Sequence, residues 1–407
     1  MSNPKLALIP SGYIGGSSPK VYSILPNNGS GDFTFDRNLN SATRVRKDGL
    51  IETVAADTPR LDWSNGNCPN LLIEAQSTNL LPKSETLTST GNASTAWASA
   101  TFGTGTISTE SGHIAPDGKL SAYKFTIGGV ASGNNGAIHV SDDYLGTRFN
   151  DAGNYSLSVY LKGEVGGEIV RIDFRSRTSA GVDGADFTLT KQWKRYTVTV
   201  NKSSSSNTTG GFQFRFYNRT DISNQVFYAF GCQAELANLT TSYIKSDAGG
   251  TVTRNTDKCL GAVSTSLYDI TQGTYFVDVK PFATSAFYNI SLSNNAATNR
   301  ISWQFQNNNT QVKVRIVAGG SEINQNNETV NFGQRNKMCV TFKKDEFKIY
   351  INGSLVRTIT SGDIPTGLDR VNFSVYNGSA NYFEGEINDV RVYDTLLTQA
   401  EAIELTT

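Results

Sequence analysis

The chain has very little of the residues on which metal and triad chemistry depend. Among its 407 residues only His113 and His139 are histidines, and the four cysteines are far apart with no Cys-x-x-Cys pair. Zinc sites need closely spaced sulfur or imidazole ligands. Nucleophile-elbow, P-loop and dinucleotide-binding motifs are also missing from the sequence. These absences argue against metal-dependent, nucleotide-dependent and triad enzymes, and the cysteines are interpreted as small buried hydrophobic residues.

An excess of charge of one sign is missing as well. The sequence holds 36 Lys and Arg against 36 Asp and Glu, and charged residues make up only 18% of it. Nucleic-acid-binding surfaces need a basic excess to neutralise phosphates, so we expect no nucleic-acid partner. No apolar run approaches the roughly 18–20 residues of a membrane helix, and the first ten residues hold too short a run for a signal peptide. We therefore expect no membrane insertion, and synthesis in a cytoplasm without classical secretion.

Long helical patterns and coiled-coil heptads are absent, whereas turn and sheet formers are abundant. The sequence contains 38 Gly, 17 Tyr and 21 Phe, a composition typical of an all-β protein with many turns. Its length exceeds the size at which one hydrophobic core stops growing, so two or three domains are expected. Without heptads, any oligomer is expected to form through globular surfaces or through the N-terminal segment.

Local patterns predict strands, a hairpin and a short helix. In residues 155–161 every second residue is apolar, the period of a half-buried strand. The stretch 347–357 alternates in the same way around an Asn-Gly pair at 352–353, which predicts a hairpin with a two-residue turn. Thr398 and Glu401 have the capping-box spacing, which predicts a helix start.

The C-terminal motifs resemble those of a known family. The hairpin reads FKIYINGSLVR, residues 382–393 read YFEGEINDVRVY, and residues 396–405 read LLTQAEAIEL. This order resembles the C-terminal half of laminin-G-like, concanavalin A-like lectin domains. The resemblance implies a β-sandwich that binds ligands, often glycans, in a group of which only some members catalyse a reaction.

The middle of the chain resembles a second family. Residues 155–162 read YSLSVYLK, residues 187–199 read FTLTKQWKRYTVT, and residues 229–235 read AFGCQAE. They resemble jelly-roll carbohydrate-binding modules appended to bacterial polysaccharidases. The resemblance implies a second sandwich, with Trp193 in its core.

The N-terminal segment resembles bacteriophage structural proteins. Its motifs are FTFDR at 33–37, SATRV at 41–45, DGLIE at 48–52, PRLD at 59–62 and LLIEAQSTNLL at 71–81. In tail and fibre proteins this succession often precedes a carbohydrate-binding-module-like domain, which a TSYI…TVTR phrase commonly closes. The resemblance implies a virion component.

These observations predict an all-β chain of two consecutive antiparallel β-sandwiches of jelly-roll type, preceded by a short irregular N-terminal segment. We place an attachment segment at 1–70, a carbohydrate-binding-module-like jelly roll at 71–250 and a lectin-like domain at 258–407, with a linker near 246–257. The attachment segment is too apolar for a free tail and too small for its own core. We expect it to order only against the middle sandwich or against neighbouring copies.

Candidate chemistry in the sequence is sparse. Glu384 and Glu386 share a strand face, but Asp389 is one residue out of register for a glucanase-like carboxylate trio. We therefore expect no catalytic residues. The acidic pairs at 142–143 and 183–186 leave a structural calcium open, with no ligands assigned and no other cofactor expected.

Strand alternation identifies polar faces for glycan binding, which needs an aromatic ring with amides, carboxylates and Arg beside it. Trp303 shares its face with Ile301 and Phe305 and is assigned to the core. The competing interpretation of each polar face is an ordinary solvated sheet or a subunit contact. The candidate glycan-binding residues are Arg171, Asp173, Arg215, Tyr217, Arg315, Asn372 and Tyr376.

Together, the resemblances imply a bacteriophage fibre or decoration protein of tail or head that displays lectin-like domains toward host-surface or environmental glycans. The expected partners are other virion proteins and further copies of the chain, as a homotrimer, and the expected location is the virion. Two alternatives stay open. One is a phage polysaccharide depolymerase, and the other is a purely structural capsid or tail protein.

Overall fold

The computed structural model describes residues 3–8, 10, 33–39, 41–66, 68–89, 97–128, 136–142, 148–149, 151–176, 182–202, 210–217, 225–247, 249–263 and 270–407. The predicted fold class is confirmed: the described segments are almost entirely β and build two antiparallel sandwiches. Strands in the first 79 residues are only three or four residues long. They are β1 (Leu6–Leu8), β2 (Thr34–Asp36), β3 (Ala42–Val45), β4 (Ile51–Val54), β5 (Arg60–Asp62), β6 (Asn70–Ile73) and β7 (Ser77–Asn79).

The middle sandwich consists of two five-stranded sheets with antiparallel neighbours throughout. Its strands are β8 (Ala98–Phe102), β9 (Thr106–His113), β10 (Ala122–Gly128), β11 (Gly136–Asp142), β12 (Gly153–Gly163), β13 (Ile169–Ser176), β14 (Val182–Thr188), β15 (Lys194–Lys202), β16 (Gly210–Tyr217) and β17 (Gln225–Leu236). One sheet has the order β15-β12-β17-β10-β9, and the other has the order β14-β13-β16-β11-β8. Both sheets contribute to one core.

The alternation in β12 and β13 explains this core. The apolar residues of the two strands face each other between the sheets, and the rings of Tyr155 and Phe174 stack at 5.2 Å. His139 is fully buried, and its ring stacks on Trp97 with centroids 5.0 Å apart. Burial lowers the pKa of His139 to about 3, so this imidazole stays neutral and serves as a packing group.

The C-terminal sandwich pairs a six-stranded sheet with an eight-stranded sheet. After β18 (Val252–Arg254) its elements are β19 (Lys258–Leu260), β20 (Ala262–Val263), β21 (Gln272–Pro281), β22 (Tyr288–Ser293), β23 (Arg300–Phe305), β24 (Gln311–Ala318), β25 (Ser321–Thr329), β26 (Asn336–Lys343), β27 (Glu346–Ile351), β28 (Ser354–Ile359), β29 (Arg370–Asn372), β30 (Gly385–Tyr393) and α1 (Gln399–Thr406). The six-stranded sheet has the order β20-β29-β22-β23-β24-β25.

The predicted hairpin and helix are confirmed. Asn352 and Gly353 both have positive φ, 48° and 78°, between the paired residues Ile351 and Ser354. At the start of α1 the Thr398 hydroxyl accepts the Glu401 N–H at 3.3 Å, and Glu401 Oε2 accepts the Thr398 N–H at 2.9 Å. The turn and the cap follow local rules, so the sequence alone predicts both.

The N-terminal segment is part of the C-terminal sandwich. The eight-stranded sheet runs β28-β27-β26-β21-β30-β6-β5, and β1 also pairs with β30, Leu6 lying opposite Val392. Strand β2 pairs with β19, and Phe33 is buried in the C-terminal core. The expectation that this segment orders only against the middle sandwich or neighbouring copies is therefore wrong. Its apolar residues complete a core formed more than two hundred residues later.

A buried arginine cluster joins the N-terminal segment to the chain between the sandwiches. It consists of Arg37, Arg60, Glu74, Arg254 and Asp257, all less than 9% exposed. Arg60 Nη1 lies 2.6 Å from Glu74 Oε2, and Arg254 Nη1 lies 2.9 Å from the same oxygen. Arg37 and Arg60 both pair with Asp257. Buried charges need such pairing, because desolvation alone would cost several kcal/mol per ion.

The middle sandwich contributes to the same region. Ser242 donates its backbone N–H and its hydroxyl to Glu74, at 2.8 and 2.7 Å. The Thr43 hydroxyl donates to the Tyr243 carbonyl at 2.6 Å. Burial by itself would raise the pKa of Glu74, but the guanidiniums of Arg254 and Arg60 lower it to about 2. The carboxylate is therefore ionised near neutral pH.

The predicted linker near residues 246–257 contains a strand, and three of its described residues are buried. Strand β18 pairs with β7 so that Val252 lies opposite Asn79. Ser246, Arg254 and Asp257 are fully buried. The phrase that closes the resembling module marked this boundary, but it did not reveal that Arg254 and Asp257 belong to the buried arginine cluster.

Two further expectations concern cysteine and membranes. Cys232, Cys259 and Cys339 are buried as expected, whereas Cys68 is exposed, so the interpretation as a buried residue is wrong for Cys68. In the described part of the chain, no helix has the length and hydropathy to cross a bilayer.

Candidate functional site

The outer face of the six-stranded sheet holds three neighbouring cations, one of which contacts a tyrosine ring. We call this surface the basic sheet face and define it by Arg300, Lys313, Arg315, Glu322 and Tyr376. Strands β23, β24 and β25 supply the first four residues, because the side chains between the core positions of these strands point outward. Tyr376 comes from the segment that follows β29.

Arg300 is the most enclosed of these cations. Ile301, Trp303 and Phe305 of the same strand are fully buried in the core, which turns Arg300 toward the outer face. Its guanidinium carbon lies 5.0 Å from the centroid of the Tyr376 ring, a cation–π contact. Arg300 is only 8% exposed, and within the described residues its Nε has no hydrogen-bond partner.

Backbone contacts hold Tyr376 in place. The Ser293 hydroxyl donates to the Tyr376 carbonyl at 2.7 Å, and Asn372 Nδ2 donates to the same carbonyl at 2.9 Å. Asn372 Oδ1 also accepts the Gly261 N–H at 2.6 Å, and Asn372 is 2% exposed. Asn372 is therefore a buried positioning residue, which corrects its assignment as a ligand contact.

Arg315 and Glu322 form a two-point ion pair across β24 and β25. Arg315 Nε and Nη2 lie 2.8 and 3.0 Å from the two carboxylate oxygens of Glu322. These bonds lower the pKa of Glu322, with smaller effects from Arg300 and Lys313. Burial lowers the pKa of Arg300, and the positive charge of Arg315 lowers it further. Three cations thus share one carboxylate, and the face keeps an excess of positive charge.

The structure places two predicted residues, Arg315 and Tyr376, near Arg300. The alternation of apolar and polar residues along the strands predicted that both face outward. The same alternation could have identified Arg300, which precedes the core residue Ile301 by one position. The sequence offered no comparable signal for Glu322, because a register shift in the β24–β25 pair sets its position.

The candidates of the middle sandwich are separate from this face. Arg171 bonds Asp173 at 3.2 Å and Asp186 at 3.0 Å, and Asp173 is fully buried. Asp173 is therefore a structural partner of Arg171, which corrects its assignment as a ligand contact. The backbone of Arg215 lies opposite Arg171, but the side chains of Arg215 and Tyr217 lie outside the described part of the structure.

A bulge changes the predicted carboxylate geometry. Lys280 lies opposite Glu386 and Asp278 lies opposite Asp389, so the extra residue at Asn388 returns Asp389 to the face of Glu386. The expectation that Asp389 turns away is therefore wrong. These carboxylates are nevertheless engaged: Glu386 bonds Lys280 at 2.9 Å, and Asp389 bonds Arg391 at 2.5 Å.

The acidic pairs named as possible calcium ligands lie mostly outside the described residues. The side chains of Asp142 and Asp183 and all of Asp143 lie outside the described residues, while Asp186 pairs with Arg171. Elsewhere in the described chain, no group of three or more His, Cys, Asp or Glu side chains is arranged to hold a metal ion.

Comparisons with solved structures found likenesses to single sandwich domains. The CBM40 of the Ruminococcus gnavus IT-sialidase, bound to alpha2,3 sialyllactose, is 19% identical, with 35% of this chain and 86% of that chain covered and a TM-score of 0.30. Domain 4 of AbnA, an extracellular arabinanase from Geobacillus stearothermophilus in complex with arabinotriose, is 17% identical, with 39% and 77% covered and a TM-score of 0.30.

A comparison with curated protein sequences found no match. The family comparison gave a match that lies within the C-terminal sandwich and agrees with the lectin-like motifs found there. Residues 262–402 match the model of the Concanavalin A-like lectin/glucanases superfamily.

Proposed function

We propose that this chain is a bacteriophage virion protein, a fibre or decoration protein of tail or head, whose C-terminal sandwich binds host-surface or surrounding polysaccharide. The observation that carries the binding proposal is the basic sheet face of a lectin-like sandwich, where Arg300 contacts the Tyr376 ring and Arg315 lies on the neighbouring strand. No chemical step is part of the proposal.

The charge of the face favours an acidic glycan. Arg300, Lys313 and Arg315 stand against the single carboxylate of Glu322. Guanidinium groups bind carboxylates and sulfates through charge-assisted hydrogen bonds, which are stronger than those between neutral groups. Partial burial of Arg300 reduces competition from water. A sugar that carries a carboxylate or sulfate would restore the charge balance.

The virion role rests on the motifs of the N-terminal segment. The PRLD, LLIE and TVTR phrases that resemble phage proteins supply Arg60, Glu74 and Arg254 of the buried arginine cluster. We propose other virion proteins as partners and a homotrimer as the assembly. Several copies on one particle would raise weak single-site binding to useful avidity.

The glycan proposal is tested on the full-length protein with immobilised polysialic acid and alginate, and with dextran as the neutral polymer. We expect Arg315→Gln and Lys313→Gln to weaken binding to the acidic polymers roughly tenfold or more, since each removes a charge-assisted contact. Lys344→Gln is the matched control, because Lys344 lies on an exposed site away from this face. Equal binding by Lys313→Gln and Lys344→Gln would contradict the proposed site.

The virion proposal and its alternatives need separate measurements. Labelling of purified particles with an antibody against the chain should place it on head or tail, and light scattering should give a trimer mass. A monomer that is missing from particles would contradict the proposal. New reducing ends after incubation with host polysaccharide would favour the depolymerase alternative instead.

A further inference from the structure

A cleft of about 440 Å³ lies between the two sandwiches. Its walls come from three places: the chain from the end of β6 through β7 to Leu80, the end of β17 with the segment after it, and the loop after β21 together with Glu384. The volume falls within the range of roughly 300–1,000 Å³ that is typical of small-molecule sites. The cleft is separate from the basic sheet face in its lining residues.

One side of the cleft is apolar. Leu236 is 46% exposed and Leu239 is 38% exposed, and both line the cleft from the middle sandwich. Phe282 lines it from the C-terminal sandwich and is half-buried. Exposed large apolar side chains that converge on one concave surface favour a ligand with an apolar face.

The polar groups of the cleft are mostly engaged within the protein. Ser77 and Thr241 both donate their hydroxyls to Glu235, and Thr78 bonds Thr253. Glu74 belongs to the buried arginine cluster. These residues shape the cleft but have little capacity left for a ligand.

Glu384 is different, because no described residue bonds its carboxyl group. It is half-buried, and its backbone carbonyl accepts the Phe282 N–H at 3.0 Å, which fixes the residue beside the apolar wall. Burial raises the pKa of Glu384 to about 7, the carboxylate of Glu74 adds to this rise, and Arg254 opposes it. The described lining includes neither Lys nor Arg, so an anionic ligand would meet no counter-charge.

We propose that this cleft binds a neutral sugar residue, whose apolar face covers Leu236, Leu239 and Phe282 and whose hydroxyls donate to the Glu384 carboxylate. Hydroxyl donors stabilise the ionised carboxylate, so binding near neutral pH releases a proton from Glu384. The site does not depend on the basic sheet face, and it is distinguished from that face by the charge of its ligand.

The test uses the full-length protein with the methyl glycosides of glucose, galactose and mannose, which carry no charge for the basic sheet face. Ligand-observed NMR and calorimetry should detect millimolar binding of at least one of them. Near pH 7 its enthalpy should vary with the ionisation enthalpy of the buffer. Glu384→Gln should abolish this variation and weaken binding roughly tenfold.

Two further variants complete the experiment. Leu239→Ser removes part of the apolar wall at an exposed position and should also weaken binding. Glu110→Gln makes the same chemical change as Glu384→Gln on the exposed strand β9, and its binding should equal that of the unmodified chain. Absence of binding for all three glycosides, or unchanged binding by Glu384→Gln, would overturn the proposal.

Discussion

Gly353 occupies the second position of the turn between β27 and β28, where φ is 78°. A Cβ atom at this position would lie 2.9 Å from Thr407 Oγ1, so a side chain meets both backbone strain and a close contact. Asn352 tolerates its own positive φ because Asn adopts the left-handed region more readily than other residues with a side chain.

We predict that Gly353→Val lowers the free energy of unfolding by about 1–2 kcal/mol or more, because a β-branched residue is strained at positive φ. Gly353→Asn is the matched control and should lose clearly less. Thermal unfolding of the full-length variants measures the difference. Equal melting temperatures for the two variants would mean that the turn does not impose this strain.

Residue-scale features were predictable where the cause is local. The Asn-Gly turn and the capping box depend on neighbours within a few positions, and alternation gave Arg315 and Tyr376. Asp389 was placed on the wrong face because the bulge at Asn388 depends on pairing with β21. The complete burial of Arg37, Arg60 and Arg254 could not be predicted from the sequence. Arg is almost never fully buried unless it is paired, and the partners of these residues are distant in the sequence.

Among the elements, strand β1 shows how a few residues contribute to a distant sheet. Its three residues pair with β30, and Leu6 and Leu8 are fully buried in the C-terminal core. A strand of this length has no measurable period, and its partner lies more than 380 residues away in sequence, Leu6 opposite Val392. Periodicity therefore could not reveal it.

We predict that Leu8→Ala destabilises the C-terminal sandwich by ~2–5 kcal/mol, the cost of removing a buried Leu side chain from a packed core. Leu39→Ala is the matched control in the same segment, because Leu39 is 41% exposed, and it should change stability little. Denaturant unfolding of the two full-length variants gives the comparison. A similar midpoint for both would show that β1 contributes no core packing.

For the whole molecule, the C-terminal sandwich needs chain from both sides of the middle one. The core shared by its two sheets includes Phe33, Leu71 and Ile73 from the N-terminal segment. Each buried side chain of this kind contributes ~1.5–3 kcal/mol. The net stability of a domain is only ~5–15 kcal/mol. Loss of several such residues is therefore comparable to the entire stability of the sandwich.

We predict that a fragment of residues 258–407 shows no cooperative thermal transition as a monomer. In contrast, a chain in which residues 80–251 are replaced by an Asn-Gly turn should melt cooperatively. It keeps β1, β5 and β6, and Asn79 and Val252 already lie opposite each other as the ends of a two-residue hairpin would. Circular dichroism of the two shortened chains decides the matter, and indistinguishable melting curves would contradict this account.

The pairing of β7 with β18 makes the middle sandwich an insert within the frame of the C-terminal one. The chain leaves the frame at Asn79 and re-enters it at Val252, two positions that face each other. An insert bounded in this way is one continuous piece of sequence, so it can be exchanged for another domain without cutting the frame. The pairings of β1, β5 and β6 in the frame do not involve the insert, so they would stay the same whatever domain stands between these two positions.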